Sequence, residues 1–577
     1  MQQDIINGCL YRWVLPSTSE QQLYELSSRY NLSLPLMQVL IKRGLSSVQQ
    51  LDEFLFATGA ISSGRLLKDA EKAARRIIAA IEKKEKILVV GDYDVDGITA
   101  TSLMMLCLSP LGAQINYFLP NRTRDGYGLS EKVIKRAIDN HYSLIITVDN
   151  GITACGPAQL AYDHHIDLII TDHHLPHENL PLAYAIVDPS QLDCPYPFKS
   201  LAGVGVAFKV ISLLYELLDK RLPDKVYELL LLGTIADVVP LLGENRYWVR
   251  YGLQKVQEQC SYSLQALKKN AKFAEKSLSS LDIAFSITPQ LNALGRLEDP
   301  RNAVRFLIGA RCVEVDQVAS ILYELNEARK TIERSILNEI EWAITQKKID
   351  LDKENIIIAA SDKWPAGVIG LVASRLTNQY NKPALLFHIT KDGLAKGSAR
   401  SIPAFNIFEA LQENAFLLER FGGHAGAAGL SLKKSKLPEL KELLEQKIAR
   451  DLSPEDLIPR MVLEAQVQLG DLTAKFMDDM RFLEPFGHMN DAPLFFIDDV
   501  TLVDEPTLLK DQHVKCKVFS NGVIKPVIFF GQPQLFSILS SMGDRSFALA
   551  ATVMENHWQG TRSIELKGLD IGMKVKE

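Results

Sequence analysis

The sequence predicts a multidomain α/β protein: a domain built on a parallel sheet, a long connecting helix, a smaller α/β unit and a C-terminal β-barrel. Three observations carry this reading. Between about residues 85 and 240, short apolar runs alternate with helix-period segments, and three of the runs end in acidic turns, as parallel strands joined by helices do. From Cys312 to Lys348 the chain has neither Gly nor Pro and favours helix. After Pro459, five or six short alternating strands follow within about 110 residues, the pattern of a small barrel.

Composition sets outer limits. The chain has 577 residues, 47% of them hydrophobic and 23% charged, an ordinary soluble globular mixture long enough for three to four domains. Net charge is -6, so any nucleic-acid contact must come from a local cationic groove. No apolar run reaches membrane-spanning length and no basic, apolar leader precedes residue 16. The seven cysteines are odd in number and contain no C-x-x-C pair. A reducing cytoplasm is the expected compartment.

Residues 1–50 read as a helical lead-in, with helical spacing in Gln21 to Tyr30 and Pro35 to Ile41. Asp69 to Glu85 is amphipathic, with Ala70, Ala73, Ala74, Ile77, Ile78 and Ile81 on one face. It leads into Ile87 to Val90, a buried strand, followed by Gly91-Asp92-Tyr93-Asp94-Val95-Asp96-Gly97 and an apolar helix over Ile98 to Leu108. An EF-hand loop would need a bidentate Glu at the twelfth position from Asp92, where Leu103 stands. Three neighbouring carboxylates at a strand end repel one another unless a cation neutralises them. A divalent-metal site is therefore expected.

Two further runs repeat the pattern. Leu144 to Val148 ends in Asp149-Asn150-Gly151, and Leu168 to Thr171 ends in Asp172-His173-His174. Parallel strands bring such turns to one sheet edge. Asp237 stands alone in the apolar segment Gly233 to Pro240, where a buried carboxylate needs a cation. Six of the eleven histidines fall between His141 and His177; His173 is the expected ligand. Four carboxylates with one imidazole suit Mn²⁺ or Mg²⁺ better than structural zinc, and their number suggests two ions sharing a bridging carboxylate.

The unit from about residue 350 to 450 contains Lys396-Gly397-Ser398-Ala399-Arg400-Ser401 and Gly422 to Gly429, GGHAGAAG. Small residues admit a phosphate backbone closely, and Arg and Ser can bind its oxygens. In the barrel, Lys510, Lys515 and Lys517 are candidate cationic contacts, and Phe519 and Trp558 suit a surface or the barrel core equally.

GDYDVDG, VDNG, TDHH and GTIADVVP, in that order, resemble the four motifs of the DHH phosphoesterases, and GGHAGAAG is similar to the signature of their associated second domain. The resemblance covers nearly the whole chain and is nearest to the RecJ-type branch, exonucleases specific for single-stranded DNA. It implies a DHH catalytic domain at 51–311, the connecting helix at 312–348, a DHH-associated domain at 349–452 and an OB-fold-like barrel at 453–577. It implies Asp94 on a first ion, Asp96, His173 and Asp237 on a second, Asp149 bridging, and Asp92, Asp172 and His174 as accessory groups. Arg122, Tyr127, Asn292, Arg296, Ser398, Arg400, Gly423 and His424 are implied to contact DNA or phosphate. Two departures stand out: Gln290 replaces an Arg of the family's RxNAxGR pattern, and Gly487 to Asp491 alters the family's LEPFGxGNP turn.

The implied activity is 5′ to 3′ hydrolysis of single-stranded DNA to 5′ mononucleotides in repair and recombination. Two divalent cations, Mn²⁺ or Mg²⁺, would activate water while Arg400 stabilises the transition state. The resemblance also implies a monomer partnered by single-stranded DNA-binding protein and a RecQ-type helicase, with no membrane. A phosphodiesterase for short oligonucleotides or cyclic dinucleotides, and a non-catalytic single-strand-binding scaffold, are the alternatives. The barrel argues against the first, and the retained metal ligands against the second.

Overall fold

The computed structural model describes residues 5–17, 20–57, 59, 61–121, 128–274, 276–297, 300–309, 312–558 and 561–572. Strands β1 (Ile5–Asn7) and β2 (Arg12–Val14) form a hairpin, and three helices follow: Glu20–Tyr30, Leu34–Lys42 and Val48–Phe56. The lead-in is therefore not wholly helical as expected. A three-residue strand carries no periodicity to read.

The first sheet holds β3 (Lys86–Val90), β4 (Gln114–Phe118), β5 (Leu144–Val148), β6 (Asp167–Thr171) and β7 (Ala185–Val187), all parallel in the order β4-β3-β5-β6-β7. Alternate residues of β3 enter opposite layers: Ile87 and Val89 join one hydrophobic core, Leu88 and Val90 another. Both faces are covered by helices, which is why the strands read as unbroken apolar runs. Because all five strands point the same way, the segments leaving β3, β5, β6 and β7 emerge at one edge.

The connecting helix spans Cys312–Thr345 and ends just short of the expected Lys348, where Lys347 turns to φ +54°. It does more than space two units apart. Val315, Ala319 and Leu322 pack into the first domain's core, while Ile336, Leu337 and Ile340 pack against the second unit. The second sheet comprises β8 (Ile357–Ser361), β9 (Ala384–Ile389), β10 (Leu394–Arg400), β11 (Arg420–His424) and β12 (Ala427–Lys433), ordered β11-β12-β10-β9-β8, with only β8 and β9 parallel.

The segment expected as one strand, Met461 to Leu469, divides because its parts serve different sheets. β13 (Arg460–Val462) pairs with β2, and β14 (Ala465–Gln466) with β15 (Phe495–Leu502). β16 (Thr507–Leu509), β17 (His513–Ser520), β18 (Val523–Phe529), β19 (Phe547–Trp558) and β20 (Thr561–Gly572) complete the unit. Pairings run β15-β19-β20-β18-β17 and return to β15 through only Thr501↔Phe519 and Leu502↔Val518, so the OB barrel is not strictly closed. Leu36, Met37, Leu40 and Leu51 of the N-terminal helices share one core with Phe495, Phe529 and Phe547 of the barrel. Buried Asp570 of β20 accepts the backbone N–H of Leu10 and Tyr11 and the indole N–H of Trp13. Arg246, on the helix Gly243–Glu258, donates to the carbonyls of Phe54, Leu483 and Phe482 and stacks on the Phe54 ring at 3.9 Å, tying the first domain to both.

Candidate active site

The turn after β3 runs straight into the helix Val95–Leu108. Asp94 is its N-cap, accepting the Gly97 N–H at 3.1 Å. Asp96, in the first turn, is 1% exposed; its two oxygens accept the N–H groups of Gly203 (2.6 Å) and Val204 (2.9 Å), which open the helix Gly203–Leu217. A helix N-terminus stabilises negative charge there. Burial, then the charge of Asp94, nevertheless pushes the Asp96 carboxyl up to about 7.

Asp149, directly after β5, is 2% exposed and left-handed at φ +61°, a conformation Asp tolerates better than most residues. Gly203 lies against it: a Cβ there would stand 2.5 Å from the Asp149 Cβ. Burial, then the charge of Asp96, raises its carboxyl well above the usual range. Asp237, at the C-terminus of the helix Lys225–Ala236, is raised by burial and then by Asp96 and Asp94.

His173 Nε2 lies 3.2 Å from Asp149 Oδ1 and 3.6 Å from Asp237 Oδ2. Burial, then neighbouring His174, draws its pKa down to about 4, so the ring is neutral at pH 7, the form that ligates metals. Asp172 and His174 are engaged differently. Asp172 accepts the N–H groups of Ile152, His173 and His174, and binds His174 Nδ1 at 2.7 Å. Burial works to raise the Asp172 pKa and to lower that of His174, but the bond between them prevails, lowering the first and raising the second. That pair fixes the turn carrying His173.

One potential ligand atom each from Asp96, His173 and Asp237 lie within 4.8 Å of one another; Asp92, Asp94 and Asp149 form a second such group, and Asp149, Asp172, His173 and His174 a third. His173 Nε2 and Asp237 Oδ2 are buried without a hydrogen bond. Buried polar atoms need a partner, and a hard-oxygen set with one neutral imidazole fits divalent cations such as Mn²⁺ or Mg²⁺.

The structure also brings in Asp188, absent from the expected set. It follows β7, is fully buried, and has one oxygen bound to the Ser190 N–H at 2.7 Å and the other without a hydrogen bond. The signal was present: Ala185-Ile186-Val187-Asp188 is the same strand-then-carboxylate pattern. Burial pushes its carboxyl up to about 7.

Asn292 braces the acidic turn after β3, its Oδ1 accepting the Val95 N–H at 3.3 Å. Gln290 is a buried brace, donating to the carbonyls of Leu267 and Ser286 and accepting from Asn270. The altered turn closes on itself between Gly487 and Asn490 and docks on the first domain through Leu241 N–H to His488 O at 2.9 Å. On the second sheet, Ser398 and Arg400 are half-buried neighbours on β10, with Arg400 Nη1 donating to Ser398 Oγ at 3.1 Å. Gly423, at φ +142°, must be Gly, since a Cβ would lie 2.3 Å from the Ala427 carbonyl oxygen; His424 beside it is exposed. Arg122, Tyr127 and the side chains of Arg296 and Trp558 lie outside the described residues.

A parallel sheet whose carboxyl edge gathers these carboxylates around an imidazole, joined by a long helix to a glycine-rich α/β unit, defines a metal-dependent phosphoesterase of the DHH class. Family models agree: the DHH family N-terminal domain matches residues 86–234, the DHHA1 domain 353–450 and the RecJ OB domain 463–570. The single-stranded-DNA-specific exonuclease RecJ of Bacillus subtilis is 36% identical over 527 residues, which cover 91% of this chain but 66% of that protein. RecJ of Escherichia coli is 33% identical, covering 92% of this chain and 94% of its own. The crystal structure of RecJ in complex with Mn²⁺ from Thermus thermophilus matches with a TM-score of 0.83 at 26% identity, covering 98% of this chain and 80% of that one. The chain belongs to the RecJ family.

Proposed function

We infer that this protein is a metal-dependent exonuclease that hydrolyses the phosphodiesters of single-stranded DNA from the 5′ end and releases 5′ mononucleotides. The observation that carries it is the gathering of Asp94, Asp96, Asp149, His173 and Asp237 at one sheet edge, beside a hollow shared with the second α/β unit. Two divalent cations, when bound, supply water activation and Lewis-acid neutralisation of the reacting phosphate. In this reading Asp94 would hold one ion, with Asp92 beside it, Asp96, His173 and Asp237 would hold the other, and Asp149 would serve both. Asp172 and His174 hold the His173 turn in place.

Arg400, with Ser398 and His424, grips phosphate oxygens and offsets their growing charge, since a guanidinium fork matches them geometrically. The names of the relatives support single-stranded DNA as the substrate. Among the described residues no helix is long and apolar enough to cross a membrane, in keeping with a cytoplasmic role in repair and recombination. A monomer working with single-stranded DNA-binding protein and a RecQ-type helicase is part of the same reading.

The test uses single strands labelled at either end, with and without Mn²⁺. A 5′ label released at once as mononucleotide, with a 3′-labelled strand shortening gradually, is the expected result. Release of the 3′ label first, or cleavage that survives full chelation, would overturn it.

A further inference from the structure

Residues Ile283–Ile287 form one turn of π-helix inside an otherwise α-helical segment. The cause is Pro289, four residues after Phe285: it has no N–H to give the Phe285 carbonyl, and its ring crowds that carbonyl. The helix opens, Thr288 N–H reaches back to Ile283 O, and Phe285 is turned outward with 77% of its surface exposed. Such π-turns are frequent at functional sites.

Two hollows meet at this ring. One, of about 450 Å³, is lined by Ala236 and Val238 on either side of Asp237, by Asn292 beneath the acidic turn, and by Arg329 and Leu371 across the cleft. The other, of about 280 Å³, is lined by Tyr323, Asn326 and Lys330 of the connecting helix and by Lys272. Phe285 belongs to both. The first hollow has the size of a small-ligand site; both join an aromatic ring to cations, the combination that holds single strands through stacking and phosphate contact. Lys330 is paired with Glu327 at 2.8 Å, both about half exposed, and a pair so exposed is weak enough to be exchanged for a phosphate; Arg329 is held more deeply, by Glu333 and Asn326.

We propose that Phe285 is a base-stacking post of the single strand beside the catalytic carboxylates, with one nucleotide in the hollow next to Asp237 and the following ones over Tyr323, Lys272 and Lys330. This rests on the single-strand exonuclease reading. It places the first grip on the uncut strand within the catalytic domain and connecting helix, ahead of the barrel. An exposed ring of this size would equally serve a protein partner, and the test separates the two.

Steady-state kinetics on a 20-residue strand would be measured for wild type, Phe285→Ala and Phe285→Trp, with 2-aminopurine placed at successive positions from the 5′ end to report stacking in Asp149→Asn protein. Phe285→Ala is expected to raise KM at least tenfold with kcat within twofold, and to lose the quenching at one or two adjacent positions. Phe285→Trp should retain both values. Unchanged KM and quenching in Phe285→Ala, as a protein-docking ring would give, overturns the stacking role, as does a Phe285→Trp variant equally impaired. If wild type fails to cleave the strand while quenching still depends on Phe285, the catalytic reading falls and the stacking site stands.

Discussion

The two edges that bear the candidate functional residues are built on opposite principles. On the first sheet the acidic groups are sunk: Asp96, Asp149 and Asp172 are each no more than 2% exposed, and backbone N–H groups or a neighbouring imidazole hold Asp96 and Asp172 in place. On the second, Gly422, Gly423 and His424 lie open and Arg400 is half-buried. Burial fixes geometry and strengthens every charge, at the cost of forcing like charges together. Exposure leaves room for a substrate to enter, carrying the phosphates that those side chains would bind. The acidic edge is packed shut, and the glycine-rich edge is left open.

The sharpest break of this contrast is at Asp149. Asp149→Ala should lower turnover by at least a hundredfold in saturating Mn²⁺, because Asp149 is grouped with Asp92 and Asp94 and also lies 3.2 Å from His173 of the other group. Asp149→Asn, which tolerates the left-handed backbone, controls for folding by circular dichroism. A folded variant keeping more than about a tenth of wild-type turnover, a barrier change under roughly 1.4 kcal/mol, would deny Asp149 that role.

Next comes the open edge. Arg400→Ala should cost about ten- to a hundredfold in kcat/KM on short and long strands alike, and Arg400→Lys should recover only part of it, since an ammonium cannot form the fork. Full recovery by Lys would show that charge alone matters there.

The smallest effect is thermal. The Asp96 carboxyl moves from an ordinary 3.8 to about 7 on folding, so the folded state binds protons that the unfolded state has lost. Stability without metal must therefore fall as pH rises from about 4 to about 7. Mn²⁺ should raise Tm by several degrees at pH 8 and by little at pH 5, and Asp96→Asn should flatten the metal-free slope. A Tm gain from Mn²⁺ that does not vary with pH would count against a strained acidic cluster.

The acidic edge was legible because Asp92, Asp149 and Asp172 each follow closely on an apolar strand, and parallel strands send such acids to one place. The same rule applied to Ala185 to Asp188 would have found Asp188, but a three-residue strand is too short to attract notice. The bond from Asn292 to the acidic turn was beyond reach because sequence does not reveal which backbone N–H an amide will meet; only the fold puts it beside Val95. The barrel was read from alternation, yet β16 and the helices Ala474–Met480 and Gln534–Ser540 escaped, being seven residues or fewer and dominated by long-range packing. Nothing local in Leu26 or Met37 says that their partners lie beyond residue 465.

That last pairing has a bearing on how the chain is made. Leu10 and Asp570, joined by a hydrogen bond, are 560 positions apart, and the apolar faces of the first three helices are completed by the barrel. During synthesis, which proceeds from the N-terminus, those helices must wait with their greasy side uncovered while both α/β units fold. A nascent chain halted anywhere before the barrel would display that surface permanently. A chain lacking its final strands would thus carry an exposed apolar surface that the full-length chain buries.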